Sequence, residues 1–312
     1  MNDDISQTPI RFGPEGALVG MLTTPAHQAP ADVACLMFNM GANHRVGPRR
    51  INVKLAHVLA ARGVSSLRFD LGGIGDSDAS GSSHDVQGRA LGDLCAAMDL
   101  VESRLGIRQF AIVGMCSGVE HAVAAGVTDS RVVALTLFDG YAFPERRARW
   151  ERTLRRALAA PVHPSFPGKA KRWVLRRLLR SHAATPLPGF FTEKQPMEQN
   201  AAWFGANMRR LVERHVAVQL LYSASLHVND HDRDQLGAFA REPFAKALQY
   251  EFMREVDHTF CTARGQQLFL KSVGDWVCAC ACADIAAGER RPPPQAVSPT
   301  AGPSLHGAYV PQ

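Results

Sequence analysis

A cysteine framed by glycines is the strongest candidate for chemistry in this chain. Gly114-Met115-Cys116-Ser117-Gly118 follows the apolar run at residues 110–113 and precedes a segment with helical periodicity. A nucleophile held in a strained turn between a strand and a helix needs small neighbours, because the turn closes against adjacent backbone. The start of the following helix favours a thiolate. The pattern predicts Cys116 as a nucleophile; a buried packing cysteine, or Ser117 as the nucleophile, are the alternatives.

A nucleophile of this kind needs a histidine as its base. His258 lies in Asp257-His258-Thr259-Phe260, between the last predicted strand and the closing helix. This position, after the final strand and 142 residues beyond Cys116, suits a partner for Cys116 and leaves room for an inserted cap. An exposed loop histidine is the alternative interpretation. His227 and His231 become rivals only if the last strand is misplaced.

The acid that would orient the histidine is less clearly marked. Asp230 lies in the loop after the predicted strand at residues 216–223, and we prefer it for that reason. Asp139 ends the preceding predicted strand, residues 132–138, and is the alternative acid. A surface charge is the other interpretation of either residue. A cysteine depends less than a serine does on a well-oriented base, because its pKa is already lower.

A second loop is predicted to supply a donor for the oxyanion. Asn39-Met40-Gly41-Ala42 follows the predicted strand at residues 31–38, and Met40 or Gly41 is expected to provide a backbone N–H. The backbone N–H of Ser117 would be the other donor. The same loop continues through a basic stretch that includes Arg45, which we expect to hold an anionic group of the substrate. A solvated helix terminus explains that stretch equally well.

Strands and helices alternate through the first half of the chain. This order predicts an α/β fold with a mostly parallel central sheet flanked by helices. The predicted strands are residues 10–12, 18–22, 31–38, 64–69, 109–113, 132–138, 216–223 and 248–256, and the predicted helices are residues 49–62, 86–105, 117–126, 241–248 and 265–278.

The alternation breaks at Phe143-Pro144, which divides the chain into four parts. Residues 1–143 form the first part of the core, and residues 144–210 are predicted to be an inserted helical cap, because prolines split basic amphipathic patches there. Residues 211–282 complete the core. Residues 283–312, rich in Pro, Gly, Ser and Ala, are predicted to be a disordered tail.

Four motifs together resemble those of the α/β-hydrolase superfamily, and more closely those of serine aminopeptidase-like or exosortase-system-associated hydrolases. They are Asn39-Met40-Gly41 with residues 45–50, residues 68–77, the turn around Cys116, and Asp257-His258-Thr259-Phe260. The resemblance spans roughly residues 10–278. It implies hydrolysis of an ester, thioester or amide, or acyl transfer by the same residues, without a metal or organic cofactor.

Two departures from the resemblance affect what it implies. Relatives mostly carry serine where this chain has Cys116, although cysteine occurs in dienelactone hydrolases and polyester synthases, which this turn also resembles. The acid expected just after the strand at residues 216–223 is displaced, because Leu226 lies near that place. A non-catalytic protein that binds an anionic ligand or a partner through its basic cap is therefore a third hypothesis.

Composition and charge narrow the function classes further. The net charge is +6, but residues 146–180 hold twelve Lys and Arg against one acid, so the basic character belongs to the predicted cap. We therefore expect a small-molecule acyl substrate and no nucleic acid, with an anionic membrane surface or an acidic carrier as candidate partners of the cap. No apolar run reaches 18 residues, and the N-terminus is polar and acidic, which predicts a cytoplasmic protein.

The cysteine count does not point to disulfides or zinc. Seven cysteines are scattered along the chain, and Cys278, Cys280 and Cys282 form a single cluster without a second ligand pair. No metal site is predicted.

Overall fold

A computed structural model describes residues 5–27, 30–79, 86–145, 150–151, 154, 197–225 and 233–282. Its strands are β1 (Ile5–Phe12), β2 (Leu18–Pro25), β3 (Val33–Met37), β4 (Ser66–Phe69), β5 (Gln109–Met115), β6 (Val132–Phe138), β7 (Ala217–Ser223) and β8 (Gln249–Met253). Its α-helices are α1 (Ile51–Ala60), α2 (Val86–Leu105), α3 (Gly118–Thr128), α4 (Met197–Glu213) and α5 (Ala263–Cys282).

The eight strands form one open sheet in the order β1-β2-β4-β3-β5-β6-β7-β8. β1 pairs antiparallel with β2, and β2 pairs antiparallel with β4. Every pair from β4 to β8 is parallel. The carboxyl ends of the parallel strands therefore meet at one edge of the sheet, where α/β folds place their sites.

Helices cover both faces of the sheet, and the residues of β5 show how. Phe110 and Ile112 pack into a core with α2, α3 and α4, whereas Ala111 and Val113 pack into a core with α1 and α5. Successive side chains of a strand point to opposite faces, so a strand buried on both sides is apolar throughout. This explains why the central strands were visible in the sequence as continuous apolar runs.

One predicted helix is wrong. Residues 241–248 form parts of two short 3₁₀ segments, Gly237–Arg241 and Pro243–Ala247, and no α-helix. Glu242 between them is extended, with φ −71° and ψ 146°. The ring of a proline disfavours the helical conformation in the residue before it, so Pro243 separates the two segments.

The predicted cap lies mostly outside the described residues, as does the whole predicted tail. The part of residues 144–210 that the structure describes includes the start of α4, so the predicted boundary at residue 210 falls inside that helix. Phe204, Met208 and Leu211 of α4 are buried in the main core. This helix therefore belongs to the layer that flanks the sheet, while the basic surface of the cap stays a prediction.

Among the described residues, no helix combines the length and the apolar character that crossing a membrane requires.

Candidate active site

Cys116 lies in a sharp turn between β5 and α3. Its φ is 54°, in the left-handed region that costs an L-residue roughly 1–2 kcal/mol. Its N–H donates to Phe138 O at 2.8 Å, and its carbonyl accepts the Val119 N–H at 3.2 Å, so neighbouring strand and helix hold the turn in place. A non-glycine residue kept in such a conformation is typical of functional sites.

The two glycines around Cys116 are required by close approach of other atoms. A Cβ at Gly114 would lie 2.8 Å from the Ala122 Cβ and 2.8 Å from the Gly118 carbonyl oxygen. A Cβ at Gly118 would lie 3.0 Å from the Phe38 ring. The glycines of the motif are therefore needed for the strand, the turn and the helix to pack closely.

His258 reaches this turn from the loop after β8. Its Nδ1 lies 2.8 Å from Asp139 Oδ2, and Cys116 is near enough to contribute to the raised pKa of the ring. The backbone N–H of His258 donates to Ser225 Oγ at 3.0 Å. The ring stacks on Phe138, with centroids 6.3 Å apart and planes 19° apart. These contacts fix the imidazole beside the carboxylate.

The carboxylate that contacts His258 is deeply buried. Asp139 is 4% exposed, has φ 49°, and follows β6 directly. Its Oδ1 accepts the Ser223 N–H, and its Oδ2 accepts the Ser223 hydroxyl, each at 2.6 Å. Two donors from β7 therefore orient the acid.

The pKa of His258 is raised to about 10. The hydrogen bond to Asp139 contributes most, followed by the contact with Cys116, while partial burial acts in the opposite direction. Both partners favour the protonated imidazole. A protonated imidazole in turn stabilises a thiolate beside it.

The acid preferred from the sequence, Asp230, lies outside the described residues, as do His227 and His231. The structure pairs His258 with the alternative acid, Asp139. Sequence reasoning did not single out Ser223, because a serine at the end of a strand carries no distinctive pattern. Its role as a hydrogen-bond donor to Asp139 is visible only in the structure, where the end of β7 lies beside the end of β6.

The predicted oxyanion loop contacts the turn directly. The Gly41 N–H donates to Ser117 Oγ at 2.9 Å, and Gly41 has φ 58°. Met40, the other candidate donor, has a buried side chain that packs with the core formed by α1 and α5. The structure thus aims the Gly41 amide at the residue after Cys116, where the oxyanion would form.

Arg45 has structural partners in place of the anionic substrate group that we expected. Its Nη1 lies 2.5 Å from Asp70 Oδ2 and 2.6 Å from Asp76 Oδ2, and its side chain is 14% exposed. The backbone N–H of Arg45 and the amide of Asn39 both donate to Asp70 Oδ1, at 2.6 and 2.7 Å. This geometry argues against substrate binding by Arg45 and assigns it to the anchoring of the loop.

The same cluster has the composition of a metal site. His44, Asp70 and Asp76 bring three possible ligand atoms within 4.8 Å of one another. The guanidinium of Arg45 contacts both carboxylates, so a bound cation would face a positive charge. The cluster is better explained as an ion-pair network that ties the oxyanion loop to the loop after β4.

A small pocket of about 50 Å³ adjoins Gly41 and Ser117. Its wall also includes His121, and Arg89 and Asp93 from α2. None of these three residues was singled out from the sequence, since each lies in an ordinary amphipathic helix.

Comparison with known proteins gives structural matches alone: no protein-family model matches the chain, and no curated protein matches it. Among solved structures, a proline iminopeptidase from Mycobacterium smegmatis is 16% identical, with TM-score 0.50 over 89% of this chain and 99% of that one. The chain has the α/β-hydrolase fold. A serine hydrolase without lid from Xanthomonas campestris is 12% identical, with TM-score 0.50 over 89% of this chain and 95% of that one.

A third solved structure also matches this chain. A hypothetical protein from Pseudomonas aeruginosa is 13% identical, with TM-score 0.52 over 88% of this chain and 93% of that one. In this chain the turn that holds Cys116 joins the central strand β5 to α3.

Proposed function

We propose that this protein hydrolyses a carboxylic ester, thioester or amide through a covalent acyl-Cys116 intermediate. The observation that carries the proposal is the position of His258, which lies 2.8 Å from the buried Asp139 carboxylate and is close enough to Cys116 for that residue to raise its pKa. A nucleophile, a base and a group that orients the base are the three parts that acyl transfer requires. The motifs that resemble those of exosortase-system-associated hydrolases agree with this chemistry.

The first half of the reaction forms the acyl-enzyme. The Cys116 thiolate attacks the carbonyl carbon, and the backbone N–H groups of Ser117 and Gly41 hold the oxyanion that develops. The protonated imidazole of His258 then donates its proton to the leaving alcohol, thiol or amine as the bond to that group breaks. A thioester on Cys116 remains, and His258 is neutral.

The second half releases the acid. A water molecule attacks the thioester carbonyl while neutral His258 accepts its proton. The bond between carbon and sulfur breaks, which releases the carboxylic acid and restores the pair of thiolate and imidazolium. Asp139 keeps the proton of Nδ1 in place through both halves, so that the other ring nitrogen exchanges protons with the reactants.

Trapping of the acyl-enzyme tests this proposal. The protein is mixed with 4-nitrophenyl butanoate, the release of 4-nitrophenol is followed, and peptide mass spectrometry locates the acyl group. We expect a butanoyl group on the peptide that contains Cys116, and loss of turnover in Cys116→Ala. Cys95→Ala is the matched control, because Cys95 lies on α2 and burial raises the pKa of its thiol.

Two outcomes would contradict the proposal. One is turnover in Cys116→Ala at the wild-type rate, and the other is an acyl group found on Ser117 with none on Cys116. Repeating the reaction with an added alcohol separates hydrolysis from acyl transfer, because transfer would convert the butanoyl group into a new ester.

A further inference from the structure

His258 lies in a tight turn after β8. The Phe260 N–H donates to the Asp257 carbonyl oxygen at 3.1 Å, so Asp257 and Phe260 are the ends of a four-residue turn and His258 is its second residue. The direction in which the imidazole leaves the backbone depends on the shape of this turn. That direction brings Nδ1 to 2.8 Å from Asp139 Oδ2.

The carboxylate of Asp257 binds the backbone of the same turn. Its Oδ1 accepts the Thr259 N–H at 3.0 Å and the Thr259 hydroxyl at 2.9 Å, and its Oδ2 accepts the Cys261 N–H at 2.8 Å. An aspartate that accepts a backbone N–H two residues later mimics a backbone turn with its side chain. The carboxylate therefore ties together the second half of the turn and the residue that follows it.

These donors stabilise the charged form of Asp257. Partial burial has the largest influence and raises the pKa of this carboxyl, but the hydrogen bonds from Thr259 and Cys261 together outweigh it, and the pKa is lowered. The raised pKa of His258 comes mainly from Asp139, followed by Cys116. The connection of Asp257 to the imidazole therefore lies in the geometry of the turn.

Phe260 fixes the other end of the turn in the core. Its ring is fully buried, and its centroid lies 4.9 Å from that of Phe138 and 4.7 Å from that of Phe269. Phe138 also stacks on the His258 ring. Phe260 has φ 56°, a conformation that an L-residue keeps only when its surroundings hold it. The N–H groups that Asp257 binds lie directly before and after Phe260, so the carboxylate holds this strained residue from both sides.

We propose that Asp257 is a positioning residue for His258, because its carboxylate closes the turn that holds the imidazole against Asp139. The inference rests on the proposed function and deepens it, since it names the group that keeps the base of Cys116 in place. Asp257 touches no reacting atom in this mechanism. Its replacement should act on His258 and, through His258, on activity.

The pKa of His258 reports its contact with Asp139. It is about 10 in the folded protein, and the hydrogen bond to Asp139 contributes most to it. We expect Asp257→Ala to lower this pKa by at least about one pH unit, because an imidazole that moves away from Asp139 loses part of that bond. NMR titration of the histidine ring protons measures the change, and the His258 resonance is assigned by its absence in His258→Asn.

The same displacement should appear in catalysis. We expect kcat/KM for 4-nitrophenyl butanoate to fall by about tenfold to a hundredfold in Asp257→Ala, because a small misplacement of a catalytic group has an effect of that size. Steady-state kinetics on the same preparations measures it.

Two further variants separate positioning from a general loss of stability. Asp257→Asn keeps an oxygen that can accept the Thr259 N–H and loses the acceptor for the Cys261 N–H, so its His258 pKa and its activity should lie between those of the wild-type protein and Asp257→Ala. Glu255→Ala is the matched control, because Glu255 is an acid of the same loop whose ion pair with Arg264, at 3.6 Å, is exposed on both sides. It should leave the pKa of His258 and the activity unchanged.

The results distinguish this inference from the proposed function. An equal His258 pKa in Asp257→Ala and the wild-type protein would overturn the positioning role, whether or not the ester is hydrolysed. A lowered pKa in Asp257→Ala together with a wild-type protein that forms no acyl-Cys116 would support the positioning of His258 and overturn the proposed function. Asp257→Asn provides the same comparison if Asp257→Ala fails to fold.

Discussion

The hydroxyl of Ser117 accepts the hydrogen bond that a substrate oxyanion would take. The Gly41 N–H donates to it at 2.9 Å, so this donor is already aimed at the site before any substrate arrives. An amide that is fixed in place loses little free energy to reorganisation when charge develops beside it. In the proposed mechanism this hydroxyl competes with the substrate and has to rotate away.

Removal of that competitor should increase activity. Ser117→Ala keeps the backbone N–H of residue 117 and frees the Gly41 N–H, so we expect kcat/KM to rise by roughly threefold to tenfold, which corresponds to about 1 kcal/mol. Steady-state kinetics with 4-nitrophenyl butanoate measures the change. A decrease of similar size would instead show that the hydroxyl itself donates to the oxyanion.

Replacing Asp139 should reduce activity more than any other substitution except that of Cys116. Asp139→Asn removes the charge that orients His258 and that contributes most to its raised pKa. We expect kcat/KM to fall by about 10²-fold or more, with the alkaline limb of its pH profile displaced to lower pH. Asp230→Asn is the control, and a larger loss of activity in that variant would show that Asp230 is the acid instead.

At the scale of the elements, the oxyanion loop depends on a glycine in a different loop. Gly75 has φ 59°, and a Cβ there would lie 2.4 Å from the Asp70 carboxyl carbon. Asp70 is 0% exposed and binds both Asn39 and Arg45 of the oxyanion loop. A displaced Asp70 would thus displace the Gly41 amide.

Gly75→Ala should therefore lower stability and activity together. We expect a loss of roughly 2–3 kcal/mol in the free energy of unfolding, from backbone strain and steric clash combined. Gly92→Ala is the matched control, because a Cβ at Gly92 on α2 meets no described atom within 4 Å. That variant should gain up to about 1 kcal/mol, since alanine favours a helix interior. Chemical denaturation measures both, and equal changes would contradict the steric argument.

The elements were predictable from the sequence where one local pattern decided them. β6 and α2 begin and end where the periodicity places them, since an apolar strand and an amphipathic helix leave little ambiguity. The helical periodicity of residues 241–248 predicts a helix, but Pro243 interrupts it. The contact of Asp139 with His258 was one of two open alternatives, because it depends on how neighbouring strands align and no local pattern encodes that alignment. The pocket at His121 was likewise not predictable, because it depends on how separate elements pack against one another.

At the scale of the whole molecule, His258 couples the site to the stability of the fold. Its pKa is about 10 in the folded protein and about 6.5 in an unfolded chain. Between these values the folded state binds more protons, so the stabilisation is complete below about pH 6.5 and is lost as the pH rises towards 10. The site is therefore a source of stability that alkaline conditions remove.

This coupling can be measured as a difference between two proteins. The free energy of unfolding of the wild-type protein should decrease from pH 6.5 to pH 10 more steeply than that of His258→Asn. The comparison cancels the thiols of Cys35 and Cys280, whose pKa values are raised by burial and which respond to alkali in both proteins. Parallel curves for the two proteins would contradict the raised pKa.

The attachment of Asp139 to β6 has a consequence for how this chain can change. Cys116 and Asp139 end adjacent strands that precede the long segment between β6 and α4, and His258 alone follows it. The turn after β7 contributes Ser225, which accepts the His258 N–H. On the proposed mechanism, the length of the segment between β6 and α4 can change without separating the nucleophile from its acid, since both precede it.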